Sequence, residues 1–395
     1  FHCKSHGARI STIYFTAGVK KMSIYDTLGI KKYINAHDTY TIYGGSRMSA
    51  ASFEAMADAA KWFVDIDQLQ QVLGDKIAEL THNEGAFITN GASGGVLLAT
   101  AACMTRGNMY RYMRLPDTKG IPHQVIVMRC QRNAYDKAIE AAGATIVEIG
   151  DADETLLYEL EGAINEETAA IFYFPSSKYA RASLSLEDTA KVAHKYNIPL
   201  VVDAAAQLPP VENLWRFCEA GADMAIFSGG KTLCGPQASG LIVGSRYWID
   251  ICRKIGAPAH GICRSSKTGR EEMIALYIAL KAYVEMDHEK NTAHLYRKAD
   301  KIANALTNMG VFKVSIADKG PVGQSYPRVF GVVDAPFSAQ AIARMMKEQD
   351  PGIYIGVEPV DNAIYISPLN LHDDEVDIVI KSLDSCIKKL LDTNS

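Results

Sequence analysis

Between residues 85 and 244 the chain alternates short apolar runs with helical periods. The runs cover 85–89, 124–128, 145–149, 169–174, 199–203, 224–228 and 239–243. Most are continuously apolar rather than alternating, the pattern of strands covered on both faces. Helical segments fit between them, for example 134–142 and 186–196, with Gly143 and Asn197 placed to close them. Strand-helix-strand repetition predicts an α/β fold with a mainly parallel, seven-stranded sheet and right-handed crossovers. Residues 256–270 are rich in Gly, Ala, Ser and basic side chains. An amphipathic pattern without Pro or Gly then runs from 271 to 306 and predicts a long linking helix. Beyond it lie strand patterns at 311–316, 328–333, 353–356 and 363–367 and helical patterns at 339–348 and 373–391, a smaller α+β lobe.

These patterns divide the chain into a large domain over 61–270 and a linking helix with small domain over 271–395. Residues 22–60 read as an N-terminal arm. Residues 1–21 show no regular period, and Met22 looks like a natural start, so 1–21 is expected to be a leader outside the fold.

Three features fall at predicted strand ends, where sheets of this kind bind ligands. The first is Asn90-Gly91-Ala92-Ser93-Gly94 between a strand and a helix pattern. Such a turn aims backbone N–H groups and a helix N-terminus at an anion. Its spacing is neither that of a P-loop nor that of a dinucleotide fingerprint. The second is Asp203, and the third is Ser228-Gly229-Gly230-Lys231, whose lysine follows the aspartate by 28 residues. An aldehyde cofactor needs a lysine amine to condense with, and a pyridinium nitrogen needs a carboxylate to stay protonated. Pyridoxal 5'-phosphate (PLP) requires both. Each residue alone also has a plain reading: an exposed turn lysine, an aspartate that caps a helix, a tight glycine turn. Their combination in this order favours PLP, with Lys231 and Asp203 catalytic, Gly91, Ala92, Ser93 and Gly94 on the phosphate, and Ser228 adding a hydroxyl.

Phosphate turn, Asp and Ser-x-x-Lys in this order resemble the fold-type I PLP enzymes. The segments 203–210 with 212–215, 227–231 with 235–237, 115–120 and 131–133 resemble the SelA-like branch, related to the bacterial selenocysteine synthases. Within that branch they are similar to the D-glucosaminate-6-phosphate ammonia-lyase group. The resemblance runs from about Met22 to the C-terminus. It implies an aspartate-aminotransferase-like large domain, a small α+β domain and a homodimer or higher homo-oligomer with sites shared between subunits. It places Gln207 near the cofactor's phenolic oxygen, although a capping or interface role suits that residue equally. Where many relatives stack a side chain on the cofactor ring, this chain has Gln131 and Arg132, and Arg132 could stack, bind a carboxylate or sit in solvent. Arg47 in the arm and Arg264, Lys267 and Arg270 before a helix would bind the substrate's carboxylate and a distal phosphate. The implied reaction removes ammonia and the 3-hydroxyl from a 2-amino-3-hydroxy sugar acid, D-glucosaminate 6-phosphate being the expected substrate. Racemisation, transamination, SelA-like β-replacement and a non-catalytic role are the alternatives.

Composition narrows this further. At 395 residues, with 48% hydrophobic and 22% charged residues, the chain can bury a large core. A net charge of −4 leaves no nucleic-acid footprint. The eight cysteines are scattered, with no CxxC pair and no zinc-ligand spacing, so no metal site is expected and a reducing cytoplasm is. No apolar run approaches the roughly 20 residues of a membrane span.

Overall fold

The computed structural model describes residues 23–394, and the expected leader at 1–21 lies outside them. Strand β1 (Tyr33–Asn35) belongs to the arm. The large sheet contains β2 (Gly85–Thr89), β3 (Gln124–Met128), β4 (Thr145–Ile149), β5 (Thr168–Tyr173), β6 (Leu200–Asp203), β7 (Met224–Ser228) and β8 (Gly240–Gly244). Their order is β2-β8-β7-β6-β5-β3-β4. Strand β8 is antiparallel to both neighbours, and the pairs from β7 to β4 are parallel. Leu200, Val201 and Val202 have no exposed surface, as their unbroken apolar run requires.

Helices cover both faces and make two separate hydrophobic cores. The helix Leu186–Lys195 shows how local signals set the ends. Ser185 accepts a hydrogen bond from the Asp188 N–H at 3.0 Å, Glu187 and Asp188 occupy the first turn, and Asn197 turns the chain at φ +54°.

The C-terminal part adds β9 (Phe312–Ala317), β10 (Arg328–Val333), β11 (Gly352–Tyr354), β12 (Gly356–Glu358) and β13 (Ala363–Ile366). Strands β12, β13, β10 and β9 form an antiparallel sheet. Two sequence expectations change here. The long pattern at 271–306 is two helices, Arg270–Val284 and His288–Asn308. Asp287 starts the second by accepting from the Lys290 N–H at 2.9 Å, and such an N-cap interrupts a helix without Pro or Gly. The single strand expected at 353–356 is split between β11 and β12, which join different sheets. Strand β11 pairs in parallel with β1 of the arm, a partner more than 300 residues away that no local pattern announces.

The arm therefore joins both parts of the protein. Ile34 and Ala36 bury into the C-terminal core, and burial of the Ile34 side chain is worth about 1.5–3 kcal/mol. Further along, the Ser46 hydroxyl donates to the Gly230 carbonyl at 2.9 Å, next to Lys231. The Gln237 amide donates to the same carbonyl at 2.7 Å. None of the helices among the described residues is long and apolar enough to cross a membrane.

Candidate active site

Strand register builds the first half of the site. Thr89 of β2 and Ser228 of β7 both pair with Gly240 of β8. Asp203 ends β6 opposite Ile226, two residues before Ser228. The glycine turn, Ser228 and Asp203 thus share one edge of four adjacent strands. Gly91 opens the helix Gly91–Thr105 at φ +66°, a backbone region that L side chains rarely adopt. Gly240 is needed beneath it, because a Cβ there would lie 2.6 Å from the Gly91 carbonyl carbon. The N–H groups of Gly91, Ala92, Ser93 and Gly94 begin the helix and have no intrahelical acceptor. Thr89 donates its hydroxyl to the Gly91 carbonyl at 2.9 Å and holds the turn.

Asp203 keeps an accessible edge, yet desolvation dominates its carboxyl and raises its pKa. The Ala205 N–H, donating to Oδ1 at 3.0 Å, and the charge of Lys231 oppose that rise. Burial lowers the pKa of Lys231, while Asp203 and then Asp38 oppose the change. Among the described residues, neither the Lys231 amine nor the second Asp203 oxygen has a hydrogen-bond partner. The lysine sits in a turn closed by the Cys234 N–H donating to its carbonyl at 2.9 Å, with Cys234 at φ +54°.

The remaining sequence-derived residues divide sharply. The Gln207 amide donates to the Pro175 carbonyl at 2.7 Å, so its donor is committed to a neighbouring loop. Gln131 is fully buried; it donates to the Ser183 hydroxyl at 3.1 Å and accepts from the Phe174 N–H at 2.8 Å. Arg132 pairs with Asp136 and Glu148. Arg47 forms two hydrogen bonds to Glu375, at 2.8 and 2.7 Å, and donates to the Asn370 carbonyl. Arg270 pairs with Glu271 at 2.9 Å and donates to the carbonyls of Ala59 and Ala60. Arg264 and Lys267 are exposed and carry no ion pair among the described residues. Their loop lies against the glycine turn: the Asn90 amide donates to the Lys267 carbonyl at 3.2 Å, and a Cβ on Gly94 would meet Ser266 at 3.4 Å.

A second group of residues has no counterpart among the sequence motifs. Asp38 of the arm is 3% exposed. Its carboxylate accepts from the Tyr326 hydroxyl at 2.8 Å and the Thr39 N–H at 2.6 Å, and burial still raises its pKa. Arg328, the first residue of β10, lies over the rings of Phe330 and Tyr365 at 5.0 and 5.3 Å. Among the described residues only its Nε has a hydrogen bond, to the Lys319 carbonyl at 3.0 Å. Its charge acts on Asp38, His37, Tyr40, Tyr326 and Tyr365. Burial, and then that charge, hold His37 near a pKa of about 4. The available signal was a charged residue opening an otherwise apolar strand, together with an Asp amid the aromatic residues of 33–43.

The residues at the sheet edge fit PLP. An unpaired amine can take the aldehyde, a buried carboxylate with one free oxygen can face the ring nitrogen, and a row of free N–H groups can take the phosphate. The sheet, its crossover helices and this edge define a fold-type I PLP-dependent enzyme. The comparisons agree. The model of the family described as SelA, L-seryl-tRNA selenium transferase, matches residues 134–309. Over 370 residues the chain is 32% identical to D-glucosaminate-6-phosphate ammonia lyase of Salmonella typhimurium, covering 91% of this chain and 97% of that protein. It is 29% identical over 366 residues to 5'-C-glycyluridine monooxygenase-decarboxylase of a Streptomyces species, covering 91% and 88%. A solved structure of D-glucosaminate-6-phosphate ammonia-lyase superposes with a TM-score of 0.81 at 31% identity, covering 93% of this chain and 99% of that one. Serine palmitoyltransferase of Sphingomonas wittichii, at 14% identity and a TM-score of 0.58 over 90% and 88% of the two chains, shares the fold alone. The chain belongs to the SelA-like family of PLP-dependent enzymes.

Proposed function

We propose that this enzyme is an ammonia-lyase that eliminates water and then ammonia from a 2-amino-3-hydroxy sugar acid. D-glucosaminate 6-phosphate is the proposed substrate, and a 2-keto-3-deoxy acid phosphate the product. The observation that carries the reading is the sheet edge itself, where an unpaired Lys231 amine faces a buried Asp203 carboxylate beside the glycine turn. Similarity to an ammonia-lyase along most of the chain supports the reaction type.

When bound, PLP serves as an electron sink for charge developing at the substrate Cα. The protein's own groups do the rest. Lys231 would hold the cofactor through its amine, and that amine, when free, would take the Cα proton. Its burial keeps the free amine available as a base below the ordinary lysine pKa. Asp203 would face the ring nitrogen and favour its protonated form. The N–H groups of residues 91–94 and the Ser228 hydroxyl would hold the cofactor's phosphate. Hydroxide leaves poorly unless protonated, and Lys231, having taken the Cα proton, can deliver it to the departing oxygen. Asp38 supports that second role by favouring the charged lysine. Arg328 has guanidinium donors left for a substrate carboxylate. Arg264 and Lys267 suit the distal phosphate, while Arg47, Arg132 and Arg270 hold neighbouring structure.

Several large apolar side chains of the arm and the next segment are open to solvent, including Ile24, Leu28, Ile42, Phe53, Trp62 and Phe63. Their number supports a homodimer or larger homo-oligomer, and the protein is proposed to work in the cytoplasm.

The test is product analysis of the PLP-loaded enzyme with D-glucosaminate 6-phosphate. Equal amounts of ammonia and 2-keto acid without O2 uptake are expected. Similarity to a monooxygenase-decarboxylase of this family favours one second reading. Oxygen consumption with loss of CO2 would select it and overturn the lyase.

A further inference from the structure

Behind the Lys231 turn lies a cavity of about 250 Å³ that the proposed chemistry does not use. One wall is Thr232, Leu233 and Cys234, the three residues that follow the lysine. The opposite wall is the junction between helices Arg270–Val284 and His288–Asn308. Two polar atoms at this junction, Tyr283 Oη and His288 Nε2, are buried without a hydrogen-bond partner. Both residues line the same cavity, their rings in edge contact with centroids 5.1 Å apart. Tyr283 is only 6% exposed. Buried polar groups are nearly always satisfied, so two orphans in one space indicate a missing occupant.

The wall describes that occupant. It contains no Lys, Arg, Asp or Glu, so a charged ligand would bring a charge with no counterion. The rest combines apolar side chains, including Leu233, Ala279, Met286 and Leu295, with the hydroxyls of Thr292 and Ser325 and the Asn291 amide. An apolar cavity of about 150 Å³ holds a benzene-sized molecule, so this one has room for a ring and a substituent. A hydroxyl both donates and accepts, and it can satisfy a tyrosine hydroxyl and either tautomer of a histidine nitrogen.

We propose that this cavity is a binding site for a small uncharged molecule with an apolar body and one hydroxyl head, whose occupancy is sensed by the Lys231 turn. The connection is short. Cys234 lines the cavity and closes the turn through its bond to the Lys231 carbonyl. Thr232 fixes the other side by donating to the Leu208 carbonyl at 2.8 Å. A ligand pressing on residues 232–234 therefore shifts the lysine that holds the cofactor, independently of which substrate the enzyme takes.

The experiment titrates cyclohexanol into the PLP-loaded enzyme and follows ligand-observed NMR together with the cofactor's absorbance band. Saturable binding with a parallel change of the band is expected. Ala279→Leu, which fills the space, should abolish both. Tyr283→Phe keeps the ring and should weaken binding by about 2- to 10-fold, the worth of one neutral hydrogen bond. Cyclohexanecarboxylate should not compete. Tyr283→Phe keeps the test informative if the leucine variant fails to fold. Unchanged affinity in Tyr283→Phe, equal binding of the carboxylate, or a soaked crystal with only waters at Tyr283 and His288 would overturn the site. Saturable binding with an unmoved cofactor band would overturn the coupling to Lys231.

Discussion

The two walls of the candidate active site are made in different ways. The sheet edge assembles Asp203, Ser228, Lys231 and the glycine turn from strand ends whose register is set by continuous apolar runs. The facing wall assembles Asp38 of the arm with Tyr326 and Arg328, almost 300 residues later. At the first wall, backbone geometry places the chemistry, and one glycine beneath the turn suffices to bring two segments together. At the second, a buried carboxylate is held by the particular tyrosine that folding brings to it. The same contrast separates the cations. Arg47, Arg132 and Arg270 are committed to carboxylates or carbonyls, whereas two of the Arg328 nitrogens are unspent. A basic residue near a site is available to an anion only if the fold has not already paired it.

The largest test of the sheet edge is Lys231→Ala. Ammonia release should fall by at least about 10³-fold, because the anchor and the proton carrier go together. Circular dichroism should be unchanged. Near wild-type turnover would remove the sheet edge from the comparison altogether.

Asp203→Ala should weaken PLP binding by about 10- to 100-fold, the loss of one charged hydrogen bond of about 1.5–3 kcal/mol. Equilibrium dialysis of the cofactor measures it, and unaltered affinity would mean that the carboxylate does not face the ring nitrogen.

The two arginine classes can then be set against each other. Arg328→Leu should raise KM by about 10- to 100-fold through the loss of a charge-assisted carboxylate contact. Arg47→Leu should leave KM unchanged and lower stability by about 0.5–1 kcal/mol, since its Glu375 partner is lost at a half-exposed pair. The reverse pattern in steady-state kinetics and urea titration would reassign the substrate contact to the arm.

The smallest effect is expected for Asp38→Asn, and it is one of pH. The Asp38 carboxylate raises the Lys231 pKa against the burial that lowers it. Removing that charge lets the lysine lose its proton at lower pH. The limb of kcat that rises as the free amine forms should therefore move to lower pH, while the protonated lysine needed for the leaving hydroxyl becomes scarcer at a given pH. A kcat profile superimposable on wild type would remove Asp38 from the reaction.

Legibility followed range. The runs at 85–89, 124–128, 145–149 and 224–228 are the observed strands to the residue; β2 and β7 are covered on both faces and so are apolar nearly throughout, whereas the edge strand β4 is partly exposed and carries Glu148. Gly143 and Asn197 close their helices at positive φ for equally local reasons. The pattern at 271–306 did not show its break, since Asp287 caps a new helix without any residue that forbids the old one. The split of 353–356 between two sheets was equally hidden, because it depends on where β1 lands.

What the sequence determined by itself is the sheet, the edge that carries Asp203 and Lys231, and a combination of residues that fits PLP. Each follows from neighbours in the chain, where periodicity and turn chemistry act directly. Tertiary structure alone decided which basic residues remain free, that a second carboxylate, Asp38, acts on the lysine and that two polar atoms are left unpaired behind it. Those outcomes depend on desolvation and on partners hundreds of residues apart, and no local pattern encodes the distance between such side chains.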